Sequence, residues 1–297
     1  MKAGFVAIYG KANAGKSTLL NDILGFKLMA VSEKPQTTRE NIIGIYNDDD
    51  SQIVFFDTPG VFTPHKKLGS ALLRDSETAK QSADVLLFVF ACQEGIDKDM
   101  VEKVKNCGLP VIVAYNKIDL IRVDEGEAKL VKLKKLLPDA TYIHCSALKK
   151  YGIDDLVKAI KDQLPEGLPL YPNDIATDRP REFVFAEFIR EKCMRLLKDE
   201  VPHSIYVEIK NIDEDETSVS ITGKIYVERE SEKGIVIGKG GKMIAQISKF
   251  SEDAIHQYVK KDVFVKLTVT VAEDWRNDSK FLQQHNLDGS GQENIWN

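Results

Sequence analysis

Gly10-Lys-Ala-Asn-Ala-Gly15-Lys16-Ser17, near the amino terminus, constrains the fold of this 297-residue chain more than any other stretch. It follows the apolar run 5–9 and opens a helical pattern over 15–24. Glycines at this spacing let backbone N–H groups curl around an anion, and the first turn of the helix adds a favourable dipole. A strand, this loop and a helix in succession make a phosphate-binding unit of an α/β fold. Lys16 would reach the β- and γ-phosphates and the Ser17 hydroxyl would bind Mg²⁺. Gly10, Lys11, Ala12, Asn13, Ala14, Gly15 and Thr18 complete the cradle.

Three further motifs stand in order behind the loop. Asp57-Thr58-Pro59-Gly60 follows the apolar run 53–56, which places Asp57 at a strand's carboxyl end. There it can hold Mg²⁺ through water, while the Gly60 N–H meets the γ-phosphate beside Thr58 and Pro59. Asn116-Lys117-Ile118-Asp119 ends the run 111–115. Asp119 can accept from guanine N1–H and from its exocyclic amine; adenine lacks that donor pair and would leave the carboxylate unpaired. Asn116 would brace the loops and the Lys117 stem would cover the base. Cys145-Ser146-Ala147, after the short strand 142–144, adds a loop with a backbone N–H for the guanine oxygen. Between the first two motifs, Gln36-Thr37-Thr38-Arg39 offers a threonine that can ligate Mg²⁺ only when a γ-phosphate is present. Thr38 is favoured over Thr37. The candidate catalytic groups are therefore Lys16, Thr38 and Gly60, and the metal ligands Ser17, Thr38 and Asp57.

Apolar runs at 5–9, 53–56, 85–90 and 111–115 are nearly continuous, as in strands covered on both faces. Helical patterns between them, such as 154–163, imply βαβ units. Pro165, Pro169, Pro172 and Pro180 then end the pattern and mark a linker. Beyond it the order is helix (181–198), two alternating strands (205–212 and 219–228), two helices around a glycine turn, and a last strand (263–271). Residues 1–168 thus form one domain, 169–181 a linker and 182–280 a second domain. The Gly/Ser/Asn-rich residues 281–297 read as a disordered or lineage-specific tail.

Charge limits the partners. The net charge is −5, with 23 basic and 23 acidic residues before Tyr171 and 18 and 23 after it. Nucleic-acid contact must come from a local patch. Four lysines and no acid lie between Lys233 and Lys249, around Ile237-Gly238-Lys239-Gly240-Gly241-Lys242. This I-G-x-x-G turn between helices matches KH domains, in which nucleic-acid backbone passes close to the glycines and unstacked bases lie in an apolar groove. Glycine is expected there because a Cβ would stand in the path of the phosphates. Four dispersed cysteines and five scattered histidines form no metal, disulfide or triad pattern. No apolar run approaches the ~18 residues of a membrane span, and the amino terminus lacks a signal-peptide pattern. A reducing, cytoplasmic setting is the expectation.

Taken together, GKANAGKS, QTTR, DTPG, NKID, CSA and the downstream GKGG resemble the Era family of translation-factor-related GTPases over roughly residues 2–275. The resemblance implies a P-loop GTPase domain with a mainly parallel sheet and helices on both faces, followed by a smaller α+β type II KH domain. It also implies binding of GTP and GDP with Mg²⁺, contact with the 3′ end of small-subunit (16S) rRNA, and assistance to assembly of the 30S subunit. A monomer with peripheral association at the inner face of the cell membrane belongs to the same picture. An alternative is a membrane-associated regulator for which RNA is secondary; no strong basic amphipathic helix supports it. A tRNA-modifying or double-domain ribosomal GTPase is a third, opposed by the single GTPase domain and the carboxyl-terminal GxxG. Val61 stands where Ras-like enzymes carry a water-positioning glutamine, so slow turnover is expected and no catalytic base is named. Asn13 matches an asparagine that helps related enzymes bind an activating K⁺. The sequence Ala12-Asn13-Ala14 departs from the family's usual Pro-Asn-Val.

Overall fold

The computed structural model describes residues 1–29, 42–57, 83–285 and 287. The described residues fall into two compact units, one of 1–26, 42–57 and 83–178, the other of 27–29 and 179 onward.

In the first unit, β1 (Lys2–Tyr9), β3 (Ser51–Asp57), β4 (Val85–Ala91), β5 (Val111–Asn116) and β6 (Thr141–His144) are mutually parallel. β2 (Ile42–Asn47) joins as an antiparallel edge strand, giving the order β2-β3-β1-β4-β5-β6. All seven residues of β4 are buried, as expected of a central strand with both faces covered. The sequence reading had no strand at 42–47; the others fall where expected.

Helices α1 (Lys16–Leu24), α2 (Lys98–Lys105), α3 (Val123–Leu136) and α4 (Ile153–Gln163) alternate with the strands. Two of their starts have a clear local cause. Asp97 caps α2 by accepting from the Met100 N–H (3.2 Å). Gly152 ahead of α4 sits at φ 72°, where a Cβ would lie 2.1 Å from the His144 carbonyl oxygen. In α4 the buried residues Ile153, Leu156, Val157 and Ile160 repeat at helical spacing, so one stripe faces the sheet. A large aromatic-rich core forms around Tyr9, Phe88, Phe90, Tyr115, Leu130 and Leu133.

The second unit carries α5 (Arg181–Leu196), the short α6 (Val201–Ser204), β7 (Tyr206–Glu214), β8 (Ser218–Val227), α7 (Glu230–Ile237), α8 (Lys242–Val259), β9 (Asp262–Val271) and α9 (Ser279–Gln284). β7 and β8 are antiparallel and β9 pairs parallel with β8, the order being β7-β8-β9. Strict alternation along β8 buries Val219, Ile221, Ile225 and Val227 on one face. Within α5, Glu191 is fully buried, and its carboxylate meets Lys27, Lys192 (3.2 Å) and Arg195 (3.0 Å). A buried charge is tolerated only with such partners.

Within the stretch expected to be a disordered or lineage-specific tail, residues 281–284 belong to α9 and Leu287 is buried. Asp278 caps α9 by accepting from the Lys280 N–H (2.9 Å), and Leu282 and Leu287 are buried. Phe281 packs on Tyr206, Tyr226 and Trp275 at 5.8, 5.3 and 5.4 Å between ring centroids. Both tyrosines project from the sheet away from its aliphatic core, and α9 covers them. Residues 288–297 lie outside the described residues.

Candidate functional site: a phosphate loop braced by the base-reading loops

The glycines of the phosphate loop are forced by close neighbours. A Cβ on Gly10 would stand 2.3 Å from the Val89 carbonyl oxygen of β4, so the loop leaves β1 pressed against the next strand. Gly15, the N-cap of α1, has φ 98°, and a Cβ there would meet Asn116 Nδ2 at 2.4 Å. Lys16 is buried, and its ammonium donates to the carbonyls of Gly10 (3.2 Å) and Lys11 (2.9 Å). That geometry holds the charge inside the curl of the loop, where a phosphate would also be held. Lys11 pairs with Asp97 at 3.6 Å and ties the loop to the start of α2. Ser17 and Thr18 lie in the first turn of α1, and Ala14 is buried under the loop.

Asn116 connects the phosphate end to the base end. It is almost fully buried; Nδ2 donates to the Ala14 carbonyl (2.9 Å), and Oδ1 accepts from the Ala147 N–H (3.1 Å). These two bonds tie the end of β5 to the loop after β1 and to the Ser146–Ala147 loop. Lys117 adopts φ 64°, which carries its chain back so that Nζ donates to the Asn13 carbonyl (2.6 Å). Asp119 lies in the 3-10 turn Ile118–Leu120, and its Oδ1 accepts from the Ser146 hydroxyl (2.5 Å). The motif reading credited the Ser146–Ala147 loop only with a backbone donor and missed this side-chain bond. The Ala147 N–H already serves Asn116, so a guanine oxygen entering there would share it.

Two thiols complete the frame. Burial raises the Cys92 thiol above its usual range and pushes Cys145 up to about 12, so both stay protonated. As neutral donors they reach the Lys117 carbonyl (2.9 Å) and Asn116 Oδ1 (3.8 Å). Nothing in their spacing announced this.

Asp57 ends β3 opposite Ile8 of β1, two residues ahead of the loop. Thr37, Thr38, Thr58, Pro59, Gly60 and Val61 lie outside the described residues.

In the second unit the GxxG turn joins α7 to α8. Gly238 caps α7 at φ 72°, Gly240 has φ 62°, and Gly241 precedes α8 at φ 75°. Their reasons differ. A Cβ on Gly238 would lie 2.7 Å from Met243 Cβ and 2.9 Å from its N, whereas those on Gly240 and Gly241 would enter open space. At Gly238 the chain itself therefore also requires glycine, independently of any passage of phosphates. Ile237 ends α7, and Lys239 and Lys242 are exposed. Of the four expected lysines, Lys233 pairs with Glu230 (3.5 Å) and Lys249 with Asp253 (3.5 Å). Among the described residues Lys239 and Lys242 have no ion pair, which contracts the basic patch to the turn itself. α7, α8 and the edge strand β9 also carry exposed Ile235, Phe250 and Phe264.

The comparisons with known proteins agree with both halves. Residues 5–117 match the model of the 50S ribosome-binding GTPase family, and residues 200–276 match that of the KH domain. A variant of Aquifex aeolicus Era bound to GDP and aluminium fluoride superposes with a TM-score of 0.91 at 38% identity, over 97% of this chain and 99% of that one. The chain belongs to the Era family. A second Era structure, in complex with MgGDPNP and nucleotides 1506–1542 of 16S ribosomal RNA, gives 0.90 at 38% identity over the same shares. Era-family membership makes the first unit a GTPase domain and the second a KH domain. It makes the chain a GTPase.

Proposed function

We propose that this GTPase is a slow nucleotide switch that binds the 3′ end of small-subunit rRNA through its KH unit and assists 30S assembly. The observation that carries the reading is the GxxG turn, with its two ion-pair-free lysines, on a chain similar nearly end to end to an Era protein bound to 16S rRNA nucleotides. On this reading Gly10–Thr18 hold the phosphates, with Lys16 neutralising the β- and γ-oxygens. Ser17 and Asp57, at the loop and the neighbouring strand end, would hold Mg²⁺, which supplies charge neutralisation at those oxygens. Thr38, Thr58, Pro59 and Gly60 would close on the γ-phosphate. Asp119 reads the base edge while Asn116, Lys117, Ser146 and Ala147 hold the pocket in shape.

Lys239 and Lys242 contact RNA backbone beside Ile237, Gly238, Gly240 and Gly241. The double variant Lys239→Ala/Lys242→Ala should bind a 3′-terminal 16S rRNA oligonucleotide more weakly at every sequence. Its log affinity should fall less steeply with log salt, by about 1.4 in slope for two lost contacts to a single strand. Anisotropy titrations across a salt series measure this; an unchanged slope and affinity would remove the turn from the RNA site. These lysines test the site more cleanly than Gly238→Asp, which would collide with Met243 whether or not RNA binds.

For Asn13 we propose participation in an activating K⁺ site. GTP hydrolysis should run faster in K⁺ than in Na⁺ at equal ionic strength, and equal rates in the two salts would refute it. We place the protein in the cytoplasm as a monomer, with peripheral contact at the inner membrane face. Among the described residues no helix is long and apolar enough to cross a membrane.

A further inference from the structure

Glutamine is mostly a surface residue, yet Gln52 in β3 is fully buried. A carboxamide offers two donor hydrogens and two acceptor lone pairs, and all four are used. Oε1 accepts from the N–H groups of Leu170 (2.6 Å) and Tyr171 (2.8 Å). Nε2 donates to the Tyr171 carbonyl (2.8 Å) and to Asn47 Oδ1 (2.8 Å). One side chain thus satisfies both backbone polar groups of Tyr171.

The contact continues beyond the glutamine. Asn47 Nδ2 reaches the Ile175 carbonyl (3.5 Å), and the Ile45 N–H donates to the Ala176 carbonyl (2.9 Å). Linker numbers rise as β2 numbers fall, so 170–176 runs antiparallel along the outer edge of β2, from the β2–β3 turn toward Ile42. Tyr171 and Ile175 pack on Ile43, Ile45, Val54 and Phe56. The linker therefore covers a sheet edge that would otherwise present unpaired backbone groups. At Arg179 the chain enters the second unit.

We propose that Gln52 is a positioning residue that docks this linker as a strap on the β2–β3 pair, so that the nucleotide state sensed by those strands is passed to residues 170–176. β3 delivers Asp57 beside Ile8, just ahead of the phosphate loop, and β2 is bonded to β3 along its whole length. A shift of the strand pair would carry the strap with it, because releasing it leaves a buried amide and two backbone N–H groups unsatisfied. The nucleotide dependence rests on the switch reading above.

Hydrogen exchange on the full-length protein tests it, with GDP and with a non-hydrolysable GTP analogue. In the unmodified protein the Leu170 and Tyr171 amides should be protected, to a degree that differs between the two nucleotides. Gln52→Leu should cut that protection at least about tenfold and erase the nucleotide difference, with GDP affinity kept within about threefold. Equal protection in the two nucleotide states, or protection unaltered by Gln52→Leu, would overturn the proposal. Should Gln52→Leu fail to hold GDP, Gln52→Asn serves: it stays polar but is one methylene too short to reach both amides. An rRNA oligonucleotide arm separates this proposal from the RNA reading. Nucleotide-dependent strap protection without RNA binding would refute the RNA reading and leave the strap standing.

Discussion

Asp119→Asn should convert a guanine site into a xanthine site. The Ser146 hydroxyl donates to Asp119 Oδ1 at 2.5 Å, and that donor still needs an acceptor after the change. The new amide therefore turns its oxygen to Ser146 and presents its NH₂ toward the base. Guanine offers an amine at that position, so two donors would face each other and both would lose their partners. Losses of this kind are worth on the order of 10³- to 10⁴-fold in affinity. Xanthine carries a carbonyl there and accepts from the amide instead. Competition titrations with GTP, GDP and XTP measure the reversal. Unaltered GTP affinity would show that Asp119 does not read the base.

Gly15→Ala should weaken nucleotide binding strongly through a residue that touches no base. The substitution places a methyl group at φ 98°, costing about 1–3 kcal/mol in backbone strain. The same methyl would stand 2.4 Å from Asn116 Nδ2, whose bond to the Ala14 carbonyl is the brace between the loops. Displacing that buried amide costs a further ~1–3 kcal/mol. At about 1.4 kcal/mol per decade, GDP affinity should fall at least about 30-fold. Gly25→Ala is the control. Gly25 has a comparable positive φ of 72°, but a Cβ there meets nothing within 4 Å. It should lower the melting temperature slightly and leave GDP affinity near the starting value. If the two variants lose affinity equally, the collision with Asn116 is not the cause.

The phosphate loop and the base-reading motifs were legible because their chemistry fixes both residue type and spacing. Backbone curled around an anion needs Gly10 and Gly15, and the guanine reading proposed above needs a carboxylate at Asp119. The KH unit was legible for a similar reason, with strands alternating strictly around a glycine turn. What escaped the sequence depends on distant partners. Ile42–Asn47 is a short apolar run that becomes an edge strand only because β3 pairs with it and the linker covers it. Gln52 stands just ahead of the apolar run 53–56, and nothing local reveals that residues 170 and 171 return to it. The need for glycine at Gly238 lies in Met243, five residues on. The tail looked disordered by composition, but Phe281 and Leu282 had Tyr206 and Tyr226 to cover. Nothing in the sequence marks Cys92 and Cys145 as the buried donors they become beside Lys117 and Asn116.

Asn116 has a consequence for how the nucleotide leaves. Because its amide clasps Ala14 on one side and Ala147 on the other, the two ends of the pocket form a single latch. Loosening the grip on the base pulls the same amide that steadies the phosphate cradle. On the proposed assignment of the site, a disturbance at either end would be felt at the other through this one amide.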